Sequence, residues 1–208
     1  RYEAALELDV ALENVDGIAI DALNLARVNQ VLGHTERAHA YLDGLLQDRA
    51  LKHEDKYLAV AALRKSLLML EQGDTKAAGF WLDKAVAWCD KDCTAEGAID
   101  NARAALALRE GDASRATYWA ERAAASNKGV SPLEYANALR QLAEARLMAG
   151  EHAEALRLAT EVLALDKSQG LPEKIRLDLL LAARVHAGMG DAEEAARFRE
   201  RASRIRAR

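Results

Sequence analysis

Apolar residues along the chain recur at intervals of three and four, and the runs are broken by a regular glycine: Gly33, Gly73, Gly111, Gly150 and Gly190, spaced 38–40 residues apart. Five residues after each glycine stands an alanine: Ala38, Ala78, Ala116, Ala155 and Ala195. Counted from that alanine, apolar side chains return three, four, seven and eight residues on, as in Ala38, Tyr41, Leu42, Leu45 and Leu46 or in Ala78, Trp81, Leu82, Ala85 and Val86. This spacing is one face of a helix. A second amphipathic run ends at each glycine, so the pattern predicts five hairpins of helices A and B. The A helices are expected over 18–32, 54–72, 95–110, 132–149 and 172–189. The B helices should begin near Thr35, Asp74, Asp112, Glu151 and Asp191. Start signals agree: Ser131-Pro132-Leu133-Glu134 is a capping box with proline at the first helical position, and Asp191 with Glu194 repeats the arrangement. Asp74 and Asp112 are further N-caps.

A fixed interval of this length marks a helical solenoid. Leu25, Ala26, Gly33, Ala38 and Leu42 resemble the tetratricopeptide repeat (TPR), as do Leu142, Ala143, Gly150 and Ala155. Two departures stand out. The period is near 39 residues rather than the family's usual ~34, and Pro132 and Pro172 open A helices instead of following B helices. Longer repeats of this kind are similar to those of bacterial sensory and transcription-regulator proteins. The resemblance implies an all-α, TPR-like helical-hairpin solenoid, a right-handed superhelix of about eleven helices in one domain over 1–208. A lone B helix at 1–14 is followed by pairs at 17–50, 54–91, 95–127, 132–167 and 172–208. It also implies binding rather than catalysis, with a groove lined by A helices. The family's groove phase falls on Leu23, Arg27, Leu63, Leu67, Asn101, Arg140, Glu144 and Arg184, with Arg64 on the flank. Apolar ground flanked by Arg27, Arg64, Asn101 and Arg140 suits a peptide or partner helix with some negative charge. The family's clamp for acidic chaperone tails survives only in basic fragments, so that ligand is not expected.

Composition narrows the classes. Half of the 208 residues are hydrophobic and only two are proline, which suits an all-helical core. The 29 basic and 33 acidic residues give a net charge of −4, so nothing draws the chain directly to nucleic acid. No apolar run reaches the roughly 18–20 residues of a membrane span. The chain opens on Arg1 without a Met or a signal-like segment, which implies preceding sequence. Arg1–Glu13 fits a B helix without its A helix, and Tyr2, Leu6 and Val10 on its outer side point to self-association. The last B helix carries Arg197, Arg199, Arg201, Arg204, Arg206 and Arg208, as expected of a solvated cap.

Chemistry-bearing motifs are sparse. There is no phosphate loop, nucleophile elbow or zinc-protease motif, so no enzyme, metal or cofactor is expected. His34, His39, His53, His152 and His186 are scattered among helices and turns. Tyr41, Trp81, Trp119 and Phe198 share one slot of helix B and read as core. Cys89 and Cys93 stand four apart. They fit two free thiols or a disulfide, and a metal site would need further ligands that Asp90 and Asp92 serve poorly. The leading function is a protein–protein interaction scaffold. The sensory segment of a bacterial regulator and an envelope assembly factor are the alternatives, leaving bacterial periplasm and cytoplasm both open.

Overall fold

The computed structural model describes residues 2–48, 50–51, 54–89 and 93–205. Among them run eleven α-helices and no strand. They are α1 (Tyr2–Ala11), α2 (Val15–Val31), α3 (Thr35–Gln47), α4 (Asp55–Glu71), α5 (Thr75–Trp88), α6 (Glu96–Glu110), α7 (Ala113–Asn127), α8 (Pro132–Met148), α9 (His152–Gln169), α10 (Pro172–Gly188) and α11 (Ala192–Ser203). The chain forms two compact units, Arg1–Ala102 and Arg103–Arg208, with α6 divided between them. From α2 onward, even-numbered helices are the A helices and odd-numbered ones the B helices.

The glycine interval has one structural cause. Each A helix ends in the same pair of backbone bonds: in the first repeat His34 N–H donates to Asn29 O (2.8 Å) and Gly33 N–H to Gln30 O (3.0 Å). Asp74 with Gly73, Asp112 with Gly111, Glu151 with Gly150 and Asp191 with Gly190 repeat it. This is a Schellman end, which needs a left-handed residue. The five glycines have φ of 75° to 82°, and a methyl group on any of them would meet no atom within 4 Å. Backbone handedness rather than space selects glycine there. The next residue caps the B helix at once: the carboxylates of Asp74, Asp112 and Asp191 accept from the N–H of Ala77, Arg115 and Glu194. His34 and Glu151 make no such bond. Half of the expected box at Ser131 forms: its hydroxyl accepts from Glu134 N–H, but its own N–H donates to Asn127 O.

The α1–α2 turn uses the same end with Glu13 in the glycine position, at φ 52°. Asn14 N–H donates to Asp9 O, and the Asn14 side chain then caps α2 from Gly17 N–H. This N-cap starts α2 at Val15, three residues before the sequence expectation.

The alanines five residues past the glycines are all fully buried. At α4–α5 the approach is close enough for the Ser66 hydroxyl, itself buried, to donate to Ala78 O (2.8 Å). Around these contacts unit 1 packs Leu42, Leu45, Leu51, Leu58 and Leu68, and unit 2 packs Leu139, Leu158, Val162, Leu181 and Val185.

The aromatic slot lies at the rim of the core, with Tyr41 and Phe198 packed against its buried residues. Tyr41, Trp81, Trp119 and Phe198 are half-buried, and polar groups cover them. Lys65 Nζ lies 4.5 Å from the Trp81 ring centre, Arg103 4.1 Å from that of Trp119 and Arg201 4.9 Å from that of Phe198. The Tyr41 hydroxyl reaches Glu3. In repeats two and three the cation sits eight residues before the turn glycine and the tryptophan eight after it. The hairpin itself therefore forms the cation–π pair. Two arginines of the last repeat are engaged locally: Arg197 of α11 pairs with Glu193 and Glu194, and Arg204 just after it with Glu200. Arg206, Arg208 and His53 lie outside the described residues.

Replacing Ala78 by Leu should force α4 and α5 apart and break the Ser66 bond. The expected loss is about 1–3 kcal/mol, read by chemical denaturation. A variant as stable as the wild type would show that the hairpin does not depend on that close approach.

Candidate functional site

In unit 2 the A helices α6, α8 and α10 line one open cleft of about 770 Å³. Leu108 and Arg109 come from α6, Asn137, Arg140, Glu144 and Leu147 from α8, and Lys174, Leu177 and Arg184 from α10. Residues three or four apart on each helix share the inward face, so the A-helix periodicity delivers them to one surface. The walls mix apolar area with charge. Arg184 pairs with Glu144 at 2.8 Å, while Arg109 is exposed and has no ion-pair partner among the described residues.

Beneath the cleft lies a buried polar network. Arg140 donates from Nε to Asp178 Oδ1 (2.7 Å), from Nη2 to Asp166, and from Nη1 to Asn137 Oδ1 (2.9 Å). Lys174 Nζ donates to the same Asn137 oxygen (3.1 Å). Both aspartates are 0% exposed. Each leaves one carboxylate oxygen, Asp166 Oδ1 and Asp178 Oδ2, without a partner. Burial pushes the Asp178 carboxyl up and the Asp166 charge adds to this, while Arg140 pulls it down; the result is about 6. Burial also holds the Lys174 ammonium below its usual range, with the Arg140 charge acting in the same direction. The site can therefore present positive charge at its rim while the charge in its floor is internally compensated.

The structure sorts the sequence-derived groove residues. Arg140, Glu144 and Arg184 meet in the unit 2 cleft. Arg140 is not a free groove cation, however, because its guanidinium is committed to two buried carboxylates. Leu23, Leu63 and Asn101 are buried instead of open to a groove. Arg27 and Leu67 are exposed and Arg64 is half-buried, all in unit 1. Sequence reasoning missed Asp166, Asp178, Asn137 and Lys174. Asp166 had one available signal: Asn127 occupies the same position of the preceding B helix, also buried and polar.

Cys89 and Cys93 form a disulfide across the α5–α6 link. Among the described residues no group of three or more His, Cys, Asp or Glu side chains could hold a metal ion, and no helix is long and apolar enough to cross a membrane. The described histidines are apart: His39 meets Gln72, and His186 stacks on Phe198.

No protein-family model matches the sequence, and no curated protein does. Solved structures do match. BtubC from P. vanneervenii aligns over 98% of this chain and 87% of its own, with a TM-score of 0.71 and 16% identity. The nearly identical TPR-like repeats of a kinesin light chain candidate from Podosopora anserina align over 88% and 92%, with a TM-score of 0.63 and 20% identity. YrrB, a TPR protein with an unusual peptide-binding site, aligns over 97% and 92%, with a TM-score of 0.54 and 19% identity. The chain has the fold of TPR-like helical repeat proteins.

The floor network yields a pH dependence. The Asp178 carboxyl is raised in the folded chain, from an ordinary 3.8 to about 6. The folded state therefore binds this proton more tightly than the unfolded one. The associated stability is fully present below the ordinary carboxyl range and is lost as pH rises through about 6. Melting curves between pH 4 and 7 should fall more steeply for the wild type than for Asp178→Asn, and parallel curves would refute the assignment.

Proposed function

We propose that the chain is a non-catalytic protein-interaction scaffold whose unit 2 cleft receives an extended or helical peptide of a partner, with an acidic group toward the rim. The observation that carries this reading is the cleft itself. Three consecutive A helices line it, and Leu108, Leu147 and Leu177 offer apolar ground beside the exposed Arg109. An apolar anchor flanked by a charge gives a peptide both area and register. The peptide-binding YrrB shares the fold, which is compatible with this use. Selection from a random peptide library should recover sequences that combine an acidic residue with apolar neighbours. Arg109→Glu should weaken them by about tenfold or more, the loss of one charge-assisted contact with added repulsion, while leaving the melting temperature unchanged. Binding indifferent to Arg109→Glu and to Leu147→Ala would remove the cleft from consideration.

The Cys89–Cys93 bond favours a second, narrower reading, a scaffold that works in an oxidising compartment, as an envelope assembly factor would. Alkylation of the native protein without reductant, read by mass spectrometry, should find no free thiol. Two alkylated cysteines in protein taken from its native cell would argue against that compartment.

A further inference from the structure

The two buried carboxylates under the unit 2 cleft share one edge of one guanidinium. The Nε–H and an Nη2–H of an arginine lie along the same edge, which ordinarily takes both oxygens of a single carboxylate. In Arg140 that edge is divided: Nε donates to Asp178 Oδ1 (2.7 Å) and Nη2 to Asp166. The two carboxyl groups are thereby held side by side, within hydrogen-bonding reach of each other. Both residues are fully buried, and Asp166 Oδ1 and Asp178 Oδ2 are left without a partner.

Two like charges held this closely resist ionising together. The surrounding helices do not relieve them. On α8, Arg140 is the cation they share, and Glu134 adds a further acid beside Asn137 (3.4 Å). On α10, Lys174 joins the cluster through the Asn137 oxygen that it shares with Arg140. The last helix, α11, packs on α9 and α10 here through Ala202 and Phe198, and Glu121 of α7 is held by Arg146 farther along α8. With both aspartates ionised, the acids Glu134, Asp166 and Asp178 outnumber the cations Arg140 and Lys174 by one. One proton balances that count. It also supplies a missing hydrogen bond, because a carboxyl O–H donates where a carboxylate can only accept. Burial acts in the same direction, since it disfavours the second charge.

We propose that Asp166 and Asp178 hold one proton between them, and that its release turns the cleft floor negative and lowers the cleft's affinity for an acidic ligand. The shared proton rests on the geometry of the floor; only its effect on binding rests on the peptide reading above. Loss of the proton adds a negative charge beside Lys174, which lines the cleft, so an acidic group at that wall is held less tightly. By linkage, an acidic ligand tightens the pair's hold on its proton by the same factor.

The test has two arms, both on the full chain. In the first, the ¹³Cγ resonances of labelled aspartate are followed between about pH 4 and 8, with Asp166 and Asp178 assigned through Asp166→Asn and Asp178→Asn. Both signals should move together in one step near pH 6, and in Asp166→Asn the Asp178 step should fall to lower pH. Independent steps, or an Asp178 step unmoved by Asp166→Asn, overturn the shared proton. In the second arm, acidic peptides recovered from the random library are titrated at about pH 5.5 and 7.5. Wild-type binding should be about fivefold weaker at the higher pH. Asp178→Asn keeps an acceptor oxygen for Arg140 and fixes the neutral state. It should bind at both pH values as the wild type does at the lower one, with Asp166→Asn as a second neutral variant and melting curves confirming that both are folded. Equal wild-type affinity at the two pH values overturns the effect on binding and leaves the cleft reading intact. Peptides that bind at neither pH remove the cleft reading and that effect together, and the aspartate signals then judge the proton by itself.

Discussion

The alanine five residues past each turn glycine sets how closely the two helices of a hairpin approach, and the rest of each unit is built on that distance. Ala38 and Ala78 do this in unit 1, and Ala116, Ala155 and Ala195 in unit 2; none exposes any surface. A small residue at the contact lets the larger Leu42, Leu82 and Leu158 on the same helices reach across to neighbouring elements instead of propping the hairpin open. The close approach also brings hydrogen-bonding groups within reach of each other, as at Ser66 and Ala78. It places a cation of one helix over an aromatic ring of the next.

Charge is handled differently in the two units. In unit 2 a single arginine is shared by two buried aspartates, and an asparagine links that cluster to a lysine. Such a network costs desolvation, and its value lies in fixing α8, α9 and α10 in one arrangement under the cleft. In unit 1 the half-buried Arg64 has no ion pair among the described residues, and burial holds its guanidinium below its usual range.

The helices and their turns were legible in the sequence because their causes are local. A left-handed glycine, an N-cap aspartate and a threefold-fourfold apolar spacing each act within a few residues. What was not legible depends on partners far along the chain. Arg140 looks like a groove cation until Asp166 and Asp178, 26 and 38 residues away, are folded against it. Trp81 reads as core by spacing alone; only the packed hairpin shows Lys65 over its face. The end of the α1–α2 turn was placed three residues late for the opposite reason, since Glu13 takes a backbone conformation its side chain does not advertise. Of the candidate site, the A-helix face was readable by phase, but which of its residues are exposed was not. A helix face wide enough to serve both a groove and a hairpin partner carries the same apolar signal on each side.

The turn glycines carry a constraint of chirality and none of volume: nothing lies within 4 Å of where a side chain would begin. Asparagine, which tolerates the left-handed region, could therefore stand at these turns with its side group in open solvent. Each turn is thus a display position, where the chain could acquire outward-facing chemistry at a local torsional cost while the packed helices beneath it stay as they are.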